Sequence, residues 1–173
     1  MKYFKMEEFR CKDGSVMPEE AKANIMALVD NVLDPARERY GTGIHVNSGY
    51  RTEAYNKRVG GTPGSQHCCK GGSAAADICA VHSDYGCMMD WKVANLEIAK
   101  AIVKGGKWDQ MILYVDGNGS LAPRFVHVSW KRNGGNRKQI LKKTATGYSA
   151  VSAREILQGS LAGSPTTPTP SCP

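Results

Sequence analysis

The segment Ala74-Ala75-Ala76-Asp77-Ile78-Cys79-Ala80-Val81 constrains this chain most. Its small and apolar residues read as a buried strand, and Asp77 sits in the middle of it. A buried carboxylate without a partner is very costly, so the strand must be packed against something that balances the charge. A cation is the simplest partner. Two of the chain's four histidines stand in suitable surroundings. His67 lies in the loop Gly64-Ser65-Gln66-His67 just before the strand, and His127 lies inside Phe125-Val126-His127-Val128-Ser129, an alternating strand. One loop His, one strand His and a strand Asp make a set of N and O ligands. Catalytic zinc commonly takes three protein ligands and keeps one position for water. No H-E-x-x-H helix is present, so the common zincin arrangement is excluded.

The remaining elements place these residues. Met17-Pro18-Glu19-Glu20 reads as a helix start, with Ile25, Leu28, Val29, Val32 and Ala36 at helical spacing and Gly41 and Gly43 as stops. Ile44 and Val46 alternate in a short strand, and residues 51–59 form a short helix. Asp90 is expected to cap a helix with Trp91, Ala94, Ile98 and Ile102 on its apolar face. Met111 to Val115 and Phe125 to Trp130 are expected to pair as a hairpin turning at Asp116-Gly117-Asn118-Gly119. Ser152-Ala153-Arg154-Glu155 reads as a capping box opening a last helix. The expected class is α+β: a small antiparallel sheet with flanking helices. Residues 1–160 form one domain, and 161–173 are a Pro/Thr-rich flexible tail.

Composition narrows the function classes. A chain of 173 residues with 41% hydrophobic and 23% charged residues is neither collagen, coiled coil nor bulk disorder. No apolar run approaches a membrane span, so no membrane partner is expected, and a monomer is. The charged start Met1-Lys2-Tyr3-Phe4-Lys5 lacks the apolar core of a signal peptide, so synthesis in the cytoplasm is expected. The net charge of +7 favours anionic partners, with the local excess in Lys131, Arg132, Arg137, Lys138, Lys142 and Lys143. No nucleic-acid signature accompanies it, so nucleic acid is not the expected partner. Six cysteines occur without a C-x-x-C pair, which supports neither a zinc ribbon nor a thioredoxin-type site.

The order Val46-Asn47-Ser48-Gly49-Tyr50-Arg51, Asn56, Val59-Gly60-Gly61, Ser65-Gln66-His67, Ala75-Ala76-Asp77-Ile78, Trp108-Asp109-Gln110, Phe125-Val126-His127-Val128-Ser129 and Asn136-Arg137 resembles the zinc D-Ala-D-Ala carboxypeptidase family. That family includes L-alanyl-D-glutamate endopeptidases of phage endolysins, and its fold is shared with hedgehog signalling domains. The resemblance runs from about Tyr3 to Leu141. It implies a hedgehog-like fold, a Zn2+ held by His67, Asp77 and His127, and Arg51 beside the metal to bind substrate and support the oxyanion. Ser65 and Gln66 are expected to shape the loop or bond to a ligand. The implied activity is metallopeptidase cleavage of peptidoglycan stem peptides, as carboxypeptidase or endopeptidase, in the manner of a phage cell-wall lytic enzyme. Such an enzyme reaches the wall by a separate release; a cytoplasmic dipeptidase is the other setting. An inert zinc-containing wall-binding module of the same fold is the alternative.

Two departures from the family pattern stand out. Ten residues separate His67 from Asp77 where the family usually has seven, and the extra residues bring Cys68 and Cys69, whose thiolates are capable of competing for zinc. Arg124 stands where many members carry the general base. If the hairpin turns at Gly117-Asn118, position 108 faces 127, and Asp109 becomes the substitute base. His45, His82 and Tyr114 are further candidates.

Overall fold

The computed structural model describes residues 1–86, 88–117 and 119–159. The tail expected over 161–173 lies outside the described residues, as do Cys87 and Cys172. The chain builds a six-stranded sheet in the order β1-β2-β4-β3-β5-β6, with helices packed on one face.

Pro18 precedes helix α1 (Glu19–Leu28), and the two acids of its first turn complement the helix dipole. The helix does not stop at Leu28. It widens into a π-helical turn over Val29–Leu33 and continues as α2 (Asp34–Tyr40), ending at Gly41 in the left-handed conformation. The wide turn keeps Ile25, Leu28, Val29, Val32 and Ala36 buried across all three segments. Strand β1 is Ile44–Ser48 and helix α3 is Glu53–Arg58, capped by Thr52 Oγ1, which accepts a 3.1 Å hydrogen bond from Tyr55 N. Strand β2 is Ser73–Ala80. Helix α4 (Met88–Gly105) begins three residues earlier than expected, so Asp90 lies in its first turn rather than at the cap.

Strands β3 (Gln110–Tyr114) and β4 (Phe125–Lys131) pair antiparallel, but not through a two-residue turn. Residues 115–124 connect them, and Tyr114 faces Phe125. Buried Asn95 of α4 fixes this connection. Its Nδ2 donates to Pro123 O at 3.0 Å and Arg124 O at 3.1 Å, while its Oδ1 accepts from Ala80 N at 2.7 Å. Strand β5 (Gln139–Thr144) then joins β3 in parallel, and β6 (Gly147–Ala150) pairs with β5 antiparallel. The sheet is therefore antiparallel except at β3–β5. Helix α5 (Ala153–Gln158) opens with the capping box of Ser152 and Glu155.

The two faces of the sheet differ. The inner face carries Ala74, Ala76, Ile78, Met111, Leu113, Val126 and Val128, all fully buried. Helices α1 and α4 cover it with Ile25, Leu28, Ile98 and Ile102. Each such aliphatic side chain contributes about 1.5–3 kcal/mol of transfer free energy. The alanines of β2 let the helices sit close. On the outer face, directly paired residues form a row across five strands: Ser48, Asp77, His127, Ile112 and Leu141. The next row holds Phe125, Tyr114, Lys143 and Tyr148. That outer face is the floor of the site.

Candidate metal centre

Asp77 and His127 are cross-strand partners on β2 and β4, so the sheet register alone brings them together. His67 reaches them from the loop above. Ser65 Oγ accepts a 3.3 Å hydrogen bond from His67 N and starts a single 3-10 turn over Gln66–Cys68. Arg51 N donates to His67 O at 2.8 Å, which ties the loop to the end of β1.

The His67 ring has a defined tautomer. Its Nδ1 lies 2.7 Å from the Gly49 carbonyl, which only accepts, so Nδ1 carries the proton and Nε2 presents a lone pair. Gly49 itself has no room for a side chain. A Cβ there would fall 2.6 Å from Phe9 Cα, and Tyr50 N donates to Phe9 O at 2.8 Å. The N-terminal segment thus braces the carbonyl that orients the imidazole.

His67 Nε2, Asp77 Oδ1 and His127 Nδ1 form a near-equilateral triangle. The separations are 3.2 Å (His67–Asp77), 3.2 Å (His67–His127) and 3.0 Å (His127–Asp77). A tetrahedral metal with ligand distances near 2.0–2.1 Å places its ligand atoms about 3.3 Å apart. The set therefore fits a zinc-sized cation, with two imidazoles and one carboxylate as donors. All three residues are buried. Burial lowers the pKa of His127, so the imidazole stays neutral, as ligation requires. For Asp77 burial works the other way, but the His67 and His127 rings beside it outweigh burial and hold the carboxyl far below its ordinary range.

Arg51 completes the carboxylate's environment. Its Nη2 donates to Asp77 Oδ2 at 2.6 Å and its Nε donates to Ser48 Oγ at 3.0 Å. This engages the oxygen of Asp77 that does not face the histidines, the usual way an outer partner sets a ligand's orientation. Arg51 also lines the cleft above the triad.

The longer spacing between His67 and Asp77 is absorbed locally. Cys69, Gly71 and Gly72 all adopt positive φ, and Ser73 N donates back to Lys70 O at 3.1 Å. The loop folds outward and returns the chain to β2 in register. Asn24 of α1 pins it by donating to Cys69 O at 3.0 Å. Cys68 and Cys69 are buried, and neither thiol joins the His67–Asp77–His127 grouping. Burial pushes the Cys69 thiol up to about 12, which opposes thiolate ligation.

The structure places Asp109 elsewhere. Ile112, not residue 108, faces His127, because the 115–124 connection is longer than the tight turn expected from Asp116-Gly117-Asn118-Gly119. Asp109 lies fully buried just before β3, and its N donates to Ser129 O at 2.7 Å. Its Oδ1 accepts from Arg137 N at 2.8 Å and Arg137 Nε at 3.1 Å, and its Oδ2 from Arg137 Nη2 at 2.7 Å and Gln66 Nε2 at 3.0 Å. Burial raises its pKa, but the Arg137 hydrogen bonds dominate and hold it down to about 2. Gln66 joins this network through its other atom as well, accepting from Arg137 Nη2 at 3.0 Å. His45 and His82 are exposed and lie outside the cleft.

Tyr114 does line the cleft. Its ring stacks on Phe125 with centroids 4.2 Å apart and planes at 18°. Its phenol interacts with Tyr148 and, more weakly, with the charges of Asp77 and Arg51. Lys131, Arg137 and Tyr148 also line this cleft of about 770 Å³. In the sequence Arg137 stood out as charge and as part of the Asn136-Arg137 motif, but neither signal gave it a place in a cleft wall.

A family model described as Peptidase M15 matches residues 2–102, more than half of the chain. The matched stretch holds Arg51, His67 and Asp77, and His127 lies beyond it. No curated protein and no solved structure matches the chain.

Proposed function

Because the chain belongs to the peptidase M15 family, we propose that it is a zinc-dependent peptidase that hydrolyses peptide bonds in peptidoglycan stem peptides. The carrying observation is the 3.0–3.2 Å triangle of His67 Nε2, Asp77 Oδ1 and His127 Nδ1 at the foot of an open cleft. Zinc bound there supplies a Lewis acid for the scissile carbonyl and lowers the pKa of water to near 7.

The chain's own residues do the rest. Arg51 holds Asp77 with Nη2 and Nε is taken by Ser48, which leaves Nη1 for a substrate carbonyl or carboxylate. Tyr114 is a proton-bearing group on the cleft floor, beside Tyr148. Burial raises its pKa well above the ordinary phenol range, so it acts as a hydrogen-bond donor to the developing oxyanion and not as a base. Asp109 serves as a positioning residue: with both oxygens occupied, it locks Arg137 and Gln66, and through Gln66 the loop that carries His67. Carboxypeptidase against endopeptidase action, and a phage-type lytic role, belong to this same reading.

One observation favours a second reading. Among the described residues, Asp77 is the only carboxylate lining the cleft, and it is committed to the triad. A wall-binding module that retains zinc without turnover fits that fact. Incubating the zinc-loaded chain with purified peptidoglycan separates the two. The peptidase releases new amino groups, and His127→Ala abolishes the release. Wall binding with one zinc per chain and no new amino groups selects the binding module.

A further inference from the structure

We propose, resting on the peptidase reading, that Lys131 and Arg137 form a second anion subsite in the cleft that takes a carboxylate of an acidic peptide substrate. Among the described residues the cleft is lined by the cations Arg51, Lys131 and Arg137 but by one acid, Asp77. The excess positive charge is concentrated at one end. Lys131 lies on the same face of β4 as His127 and four residues further on, roughly 13 Å along the strand. The opposite end is aromatic, with Tyr114 stacked on Phe125.

The cationic end is held in shape. Asn136 clamps the Lys131 backbone on both sides: its Oδ1 accepts from Lys131 N at 2.8 Å and its Nδ2 donates to Lys131 O at 3.0 Å. Buried Asp109 fixes the Arg137 guanidinium by its Nε and Nη2 edges, leaving Nη1 uncommitted. Asp109 is saturated by Arg137 and Gln66, and Lys131 Nζ stays 3.6 Å from it with only a 3.4 Å bond to Gly135 O. Two cations thus share one occupied carboxylate. The remaining charge lines the cleft, with Lys131 four residues along β4 from His127.

The test uses the full zinc-loaded chain and two fluorescein-labelled stem peptides, one with a free glutamate carboxylate and one with that carboxylate amidated. Amidation should weaken wild-type binding about three- to tenfold, the range for a partly exposed charge-assisted contact. The discrimination should fall at least twofold in Lys131→Gln and persist in Lys131→Arg. Equal affinity for both peptides in the wild type, unchanged discrimination in Lys131→Gln, or no binding of either peptide overturns the subsite. Discrimination in binding without any hydrolysis overturns the peptidase reading and leaves the subsite standing.

Discussion

The His67 ring is oriented by a main-chain atom: its Nδ1 donates to the Gly49 carbonyl at 2.7 Å, and that single bond leaves Nε2 free to face Asp77 and His127. The bond depends on Gly49 lying against Phe9, so the metal centre is coupled to the packing of the first ten residues.

Replacing Gly49 with alanine should therefore weaken zinc binding without touching a ligand. The new Cβ meets Phe9 Cα and Cβ at under 3 Å and displaces the carbonyl. Loss of an outer partner typically lowers metal affinity about 10–100-fold. Competition with a zinc chelator measures it, and an unchanged affinity would refute the coupling.

Asp109 gives a pH prediction. Its folded pKa, held down to about 2 by Arg137, is below the unfolded value near 3.9, so its contribution is full above about pH 4. It is lost as pH falls from about 4 to 2. Asp109→Asn should cost about 2–3 kcal/mol at neutral pH and flatten the acid limb of the stability curve. Urea denaturation at pH 7 and pH 3 checks both parts. A variant as acid-sensitive as the wild type would contradict the assignment.

Tyr114→Phe keeps the stack on Phe125 and removes only the hydroxyl. If the phenol stabilises the oxyanion, kcat should fall about 10²-fold while KM and zinc content stay unchanged. A change confined to KM would make Tyr114 a binding residue instead.

Arg51→Lys tests the guanidinium fork. Lysine carries its three donors on one nitrogen, so it lacks the fork by which Arg51 Nε and Nη2 reach Ser48 Oγ and Asp77 Oδ2 while Nη1 faces the cleft. Peptide hydrolysis should fall at least tenfold, with zinc retained. Full activity in this variant would remove Arg51 from the substrate site.

Much of this arrangement was legible in the sequence because its chemistry uses rare residues in revealing surroundings. A carboxylate inside Ala74-Ala75-Ala76-Asp77-Ile78 demands a partner, and two of four histidines sit where they can supply one. The long first helix was readable from its apolar spacing, though not its π turn at Val29–Leu33. Other features were set by tertiary structure. Asp116-Gly117-Asn118-Gly119 has the composition of a tight hairpin, but Asn95 holds a longer connection and shifts the register by four residues. That shift moved Asp109 from the expected neighbour of His127 into the Arg137 network. The β5–β6 hairpin was also missed. Gln139-Ile140-Leu141-Lys142-Lys143-Thr144 carries the charge typical of strands near a sheet edge, and it reads as solvated surface.

The most direct test of the account is the zinc X-ray absorption spectrum of the metal-loaded protein. The triad of His67, Asp77 and His127 requires a shell of N and O atoms near 2.0–2.1 Å with two imidazole signatures. It requires no sulfur at about 2.3 Å, since Cys68 and Cys69 stand apart from the grouping. That spectrum, with the zinc lost in His127→Ala, is the result expected. A sulfur shell, or zinc retained in full by His127→Ala, would contradict the centre described here.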